Sequence, residues 1–453
     1  MDKRNIINFL FVSSFPVYGL GTYFSAVHSP AGGYIVSIFP LLLIILFYLI
    51  DLLYKNEFRI RLNGYYLFML VFTLSSIASM FIALGKGLPE ASLIQTIAKS
   101  VLLFVPFHAF LIMMLYNEKK ENMVRLTLIS LSVLLFINLA GFFGLGLSNA
   151  GHSIEGRLNF PFLDGFYSGA SLLAIINLIL LHYLKRNWKY PIRFGVLAAY
   201  FLLNLVLIFL INSRLSILIL GMVMALWVFG AIRMKGIFLL SMFTLPILLT
   251  SGIIIYKVLQ LPGLSFFLQR VNVEDVTTFN GRAFLWRDAM DWLMNDQRGL
   301  FFGNGYKGHY FMGLISDVAK LWNEKEVYHM HLHSTSLETL VCQGVVFFLL
   351  FAVLFYLVYA YYKKKSKEGN QEGALLPVVI YLLFIMQVDT FLYLDNLGFI
   401  LFSLLISKLV IDKKANENQA MKIIKQTELF DYTGTATRKW GAVAIHYNET
   451  EKS

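Results

Sequence analysis

The feature that most limits this chain is a succession of twelve apolar runs, at 6–27, 33–54, 64–84, 95–116, 124–148, 164–184, 194–212, 215–232, 237–256, 337–362, 375–391 and 394–411. A helix needs about 20 mostly apolar residues to cross the ~30 Å hydrocarbon core of a bilayer. Backbone N–H and C=O groups in lipid must be satisfied within the segment, so runs of this length fold as helices. The expected fold is therefore all-α and polytopic, with about twelve transmembrane helices. Charged residues make up only 14% of the 453 positions, against roughly 25% in a soluble domain. That excludes an ordinary soluble enzyme and a disordered chain.

The formal net charge of +11 could suggest nucleic acid, but its placement points to membrane orientation. With the N-terminus inside, the inner segments hold eighteen Lys and Arg. The short outer segments hold only Lys86, Arg157 and Arg214, or four if Lys99 is counted with them. Positive residues retained on the cytoplasmic side orient multi-span proteins, so both termini are expected inside. No nucleic-acid partner is expected. The single cysteine, Cys342, allows no internal disulfide and no cysteine-based metal cluster.

Four segments follow: spans one to nine over 1–256, a large outer loop over 257–336, spans ten to twelve over 337–411, and a polar tail over 412–453. The outer loop is the outlier. Its eighty residues carry eight Lys/Arg and eight Asp/Glu, unlike the basic inner loops, and loops of such length are usually functional.

Within it, residues 280–293 read as an amphipathic helix capped by Asn280, with Leu285, Ala289, Trp292 and Leu293 on one face and Arg287, Asp288 and Asp291 off it. Gly299 is its expected stop. Arg282 falls in its first turn, where backbone N–H groups and a guanidinium fork together suit a phosphate or diphosphate. The glycine-rich stretch Phe302–Tyr310 offers a phosphate cradle or, more simply, a turn. His329, His331 and His333 alternate just before the tenth span, a pattern that fits no standard zinc spacing. One of them could serve as a general base, with Ser334 or Thr335 capping the following helix. Arg214 sits at the junction of two spans, where a charge is costly unless it is paired or faces a wet cavity. Arg157 and Asp164 flank an aromatic outer loop with Phe160, Phe162 and Phe166, suited to dipping into the membrane or packing on sugar rings.

Four of these segments resemble the O-antigen ligase/polymerase superfamily of bacterial membrane glycosyltransferases. They are Gly156-Arg157-Leu-Asn-Phe-Pro-Phe, Ser213-Arg214-Leu-Ser, Gly281-Arg282-Ala-Phe-Leu-Trp286, and His333-Ser-Thr-Ser-Leu337-Glu-Thr-Leu340 through Gly344. The sequence departs from the family pattern at Ser334, where Asn is usual, at Cys342, where an acidic residue is common, and at Phe347, where a second glycine is usual. The resemblance implies a GT-C-like, metal-independent enzyme of the bacterial inner membrane with no cofactor, its large loop periplasmic and containing short helices. The donor would be a glycan on undecaprenyl diphosphate, and the acceptor lipid A–core or a growing polysaccharide. It implies catalytic roles for His333, Arg282 and Arg214. Arg157, Arg214, Arg282 and Arg287 form the candidate substrate-binding set, with His333 taking the proton of the acceptor hydroxyl and no metal bound. The competing readings are a multi-span secondary transporter and a peptidoglycan polymerase of the shape-and-division type. No internal repeat supports the first, and the ionisable residues gather at the outer ends of spans instead of mid-span, with Asp389, near the end of the eleventh span, as an exception.

Overall fold

The computed structural model describes residues 3–55, 60, 63–89, 91–117, 123–147, 157–234, 236–245, 282–321, 327–394 and 396–412. Asn280 and Gly281, and all but Asp412 of the 412–453 tail, lie outside them. All regular structure among the described residues is helical.

Among the described residues, eight helices are long and apolar enough to cross a membrane. They are α1 (Lys3–Val27), α2 (Pro30–Lys55), α3 (Gly64–Gly85), α4 (Leu93–Tyr116), α5 (Met123–Leu139, extended by a π turn to Gly144), α6 (Gly165–Asn187), α7 (Pro191–Ile211) and a later 33-residue helix. Local chemistry sets their ends. Asn63 accepts the Tyr66 amide at 2.9 Å to start α3, and Ser92 and Gln95 form a reciprocal capping box on α4. Pro191 opens α7, and Asn212, left-handed at φ 58°, closes it.

Three expected spans are shorter than the sequence suggests. α8 (Arg214–Val228) and the helix at Leu397–Ile411 have 15 residues each. The expected 375–391 run ends at Ile385. Fifteen residues rise only ~22 Å, less than the bilayer core. The eleventh run stops early because Met386–Leu394 turns back on itself, and this turn has a use described below. The ninth run, as α9 (Gly236–Leu239 continued by a π turn to Thr244), is described only to residue 245.

The outer-loop helices are α10 (Arg282–Asn295), α11 (Gln297–Phe302), α12 (Gly308–Phe311) and α13 (Ser316–Leu321). After them come α14 (Thr335–Lys367), α15 (Leu376–Ile385) and α16 (Leu397–Ile411). Gly299 is not the expected stop. It lies inside α11, where its amide bonds the Asp296 cap at 3.0 Å, and Gly303 ends that helix.

Lipid tails are as apolar as leucine, so burial alone does not bind these helices together; close packing and interhelical hydrogen bonds do. Phe72 of α3 stacks on Phe347 and Phe351 of α14 and on Phe399 of α16, at centroid distances of 4.7, 5.4 and 6.1 Å. Each such pair contributes ~0.5–1.5 kcal/mol beyond its area. At one end of the bundle, Asp51 pairs with Lys3 and accepts the Tyr116 hydroxyl, and Lys408 pairs with Glu372 at 2.9 Å. The opposite end gathers the outer-loop residues. Lys86 reaches the Asn304 carbonyl at 2.7 Å and the Tyr306 amide bonds the Ser79 carbonyl at 3.0 Å.

α14 is broken near its start. Gly344 has φ 81° and ψ 173°, a region only glycine occupies comfortably. The break frees carbonyls of the preceding turn, and outer-loop amides take them: Asn304 N to Val341 O at 3.1 Å and Gly305 N to Cys342 O at 2.7 Å. A Cβ at Gly344 would stand 2.3 Å from the Phe301 carbonyl oxygen. Gly344→Ala is therefore expected to destabilise the fold by at least ~1–3 kcal/mol, read as a lowered unfolding midpoint in detergent; an unchanged midpoint would count against the kink as a structural necessity.

Candidate active site

α10 organises the site. Its buried face carries Leu285, Trp286, Ala289 and Leu293, so Trp286 joins the face expected from periodicity while Trp292 is only half-buried. Arg282 and Trp286 are four residues apart and share that face. Arg282 is buried; its Nη1 donates to the Val388 carbonyl at 3.0 Å and its Nη2 to the Tyr167 hydroxyl at 2.7 Å. The guanidinium lies 5.0 Å from the Tyr167 ring centre. Trp286 Nε1 donates to the Leu332 carbonyl at 2.8 Å, which ties α10 to the histidine segment.

In that segment the His331 and His333 rings meet edge to face, 4.1 Å between centroids, and the His333 amide bonds His331 Nδ1 at 3.3 Å. His333 is held at φ 50°, an uncommon left-handed conformation for a residue other than glycine. Ser334 then caps α14, accepting the Leu337 amide at 3.3 Å. Burial, His331 and the charge of Arg282 hold His333 well below the ordinary histidine range. Burial and Lys307 hold His331 down to about 3. Both imidazoles are neutral at neutral pH, and a neutral imidazole is the form able to accept a proton.

The segment is fixed from beneath by a buried pair that the sequence did not disclose. His309 Nδ1 lies 2.8 Å from Glu338 Oε1, and its Nε2 lies 3.0 Å from the Met330 carbonyl. Both imidazole nitrogens thus face oxygen atoms, one of a carboxyl group and one of a backbone carbonyl. Glu338 Oε2 accepts the Leu332 amide at 2.9 Å, and Lys307 Nζ donates to the Met330 carbonyl at 2.9 Å. Residues 330 and 332 are thus clamped on either side of His331. His309, Glu338 and Cys342 also bring one metal-ligand-type atom each within 4.8 Å of one another. Their atoms are already committed to hydrogen bonds, including the Gly308 amide on Cys342 Sγ at 3.3 Å, so the geometry is that of a clamp.

The turn between α15 and α16 closes the site. The Thr335 amide bonds the Met386 and Asp389 carbonyls at 2.8 and 3.0 Å, and the Ser336 hydroxyl bonds Gln387 Oε1 at 2.7 Å. Asp389 is buried in this turn, within electrostatic reach of Arg282. That accounts for the residue that had suggested a transporter.

The remaining arginines separate into two groups. Arg157 and Arg214 lie on adjoining segments, because the Leu158 amide bonds the Leu210 carbonyl at 3.1 Å. Arg214 is exposed at the first residue of α8, which packs on α6 and α15. Arg287 is exposed and engaged with Asp288 at 3.7 Å and with the Phe284 ring, on a different face of α10 from Arg282. Phe160 and Phe162 are buried, so they pack the protein and are not free for sugar rings. The glycine-rich stretch is a turn and no phosphate cradle: the amides of Asn304, Gly305, Tyr306 and Gly308 are all spent on protein acceptors.

Residues 199–352 match the family model described as O-antigen ligase. The match supports the O-antigen ligase/polymerase superfamily and runs from α7 into α14, across Arg214, Arg282, His309, His333 and Gly344. Arg157 precedes it. No curated protein and no solved structure matches the chain. The match supports an O-antigen ligase/polymerase-type function, and the apolar helices point to a membrane protein.

Proposed function

We propose that this protein transfers a glycan from an undecaprenyl-diphosphate donor to a hydroxyl acceptor at the periplasmic face of the inner membrane, as an O-antigen ligase or polymerase. The observation that carries the reading is that one helix, α10, holds both halves of the chemistry. Its Arg282 presents a buried guanidinium, and its Trp286 anchors the segment bearing His333.

In the proposed step His333 takes the proton of the acceptor hydroxyl, and the oxygen attacks the anomeric carbon. The bond from that carbon to the diphosphate oxygen breaks, and undecaprenyl diphosphate leaves with the electron pair. Arg282, with Arg214 and Arg157, balances the charge that develops there, an electrostatic role requiring no metal or nucleotide. Two of the five Arg282 donors serve the scaffold, and a guanidinium has five. Four features support the topology: the excess of Lys and Arg in the inner segments, the clustering of outer-loop residues at one end of the bundle, the twelve-span pattern and the neutral loop over 257–336. The proposed domains keep the boundaries given by the sequence, with the 412–453 tail cytoplasmic.

Deleting the gene tests the reading and separates its two forms. Loss of a ligase leaves bare lipopolysaccharide core and lipid-linked polymer on a gel, whereas loss of a polymerase leaves core capped by a single unit. A lipopolysaccharide ladder identical to wild type would remove both.

A further inference from the structure

We propose that the cavity beside Lys99 is the acceptor subsite, and that it selects a sugar carrying an anionic group, a carboxylate or a phosphate ester. This rests on the glycan-transfer reading above. The cavity has a volume of about 260 Å³, and its walls include Lys99, Lys307, Tyr34, Tyr306, Tyr328 and Gln95. That is just below the ~300–1,000 Å³ typical of small-molecule sites.

Lys99 lies two turns inside α4, where an ionisable residue is costly and needs a reason. Its ammonium donates to the Tyr306 hydroxyl at 2.7 Å and lies 4.5 Å from the Tyr306 ring centre and 5.6 Å from that of Tyr34. A phenol and two aromatic faces hold the ammonium in place. Lys307 places a second ammonium on the same cavity. Tyrosines supply an apolar face with a polar tip, the combination that suits a sugar ring with its C–H faces and hydroxyls. Two ammonium groups add recognition of an anion as point charges.

The cavity adjoins the segment that carries the proposed base. Lys307 bonds the Met330 carbonyl, three residues before His333, and Tyr328 belongs to the same segment. A second cavity of about 180 Å³ shares Ser25 and Tyr34 with the first and extends to Asp164 and Asn396. It thereby reaches the loop that follows Arg157. The two cavities thus adjoin at Ser25 and Tyr34, one holding the lysine pair and the other reaching the loop that follows Arg157. A donor held by the arginines and an acceptor held by the lysines would meet at the histidine segment.

The test is calorimetric binding to the full-length protein in nanodiscs, with no donor lipid present. The probes are a disaccharide ending in a uronic acid, the same disaccharide ending in a sugar 6-phosphate, and the neutral parent. Wild type is expected to bind at least one anionic probe ten-fold or more tighter than the neutral one. Lys99→Met should erase that preference and Lys99→Arg should keep most of it. Equal binding of all three probes by wild type, or an intact preference in Lys99→Met, would overturn the proposal. A protein that shows the charge preference but transfers no glycan keeps the anion-selective sugar site and removes the transfer reading. One that transfers glycan without any charge preference does the reverse.

Discussion

His333→Ala should lower glycan transfer by about 10²–10⁴-fold, the contribution of a positioned general base, while the protein still inserts and accumulates. The residue is half-buried in the outer-loop segment and is not part of the apolar core of the bundle, so its removal leaves that core intact. The φ of 50° is relieved little by alanine, and the clamp on Met330 and Leu332 acts through the backbone. Surface glycan profiles and transfer by purified protein provide the readouts, and full transfer in the variant would end the assignment. The pH profile supplies an independent check. A base must be unprotonated, and burial, His331 and Arg282 all disfavour its protonated form. The acid limb of the rate should therefore fall well below the ordinary histidine value of about 6.5, with a flat rate through neutrality. A limb centred at or above that value would mean that another group titrates.

Arg282→Lys should cost about 10²–10³-fold in transfer, comparable to removing one preorganised donor from a charge-stabilising site. The charge survives the change, but the planar fork does not. Lysine cannot span the Val388 carbonyl and the Tyr167 hydroxyl while presenting further donors to a leaving diphosphate. A merely structural arginine would lower stability alone. The decisive measurement is therefore product inhibition by undecaprenyl diphosphate, which should weaken in parallel with the rate. Undiminished inhibition in a slow but folded variant would show that this guanidinium does not hold the diphosphate.

Much of this architecture was legible in the residues because a bilayer leaves few choices. Length and apolarity located α1 to α7 and α14 almost to their ends. The same criterion placed α8 and α16 but overstated their length, and it missed the early end of α15, because an apolar run can contain a turn when protein groups satisfy its backbone. Thr335 and Ser336 do this for residues 386–389, and nothing in a hydropathy pattern announces it. The arginines and His333 stood out by motif. The clamp did not, since His309 and Glu338 are 29 positions apart and their pairing needs the kink at Gly344 and the docking of the outer loop. A carboxylate one turn into an apolar helix was the available signal. Lys99 was visible as a charge inside a span, but its tyrosine partners come from α2 and the outer loop.

The walls of the Lys99 cavity have a mixed origin along the chain. Tyr34, Gln95 and Lys99 come from α2 and α4, well before residue 199, where the O-antigen ligase match begins, whereas Arg214, Arg282 and His333 fall within it. Reaction chemistry and partner choice would thus reside on stretches that selection can revise independently. A bacterium altering its coat could recruit new sugars by rewriting the early helices while the transfer machinery stays as it is.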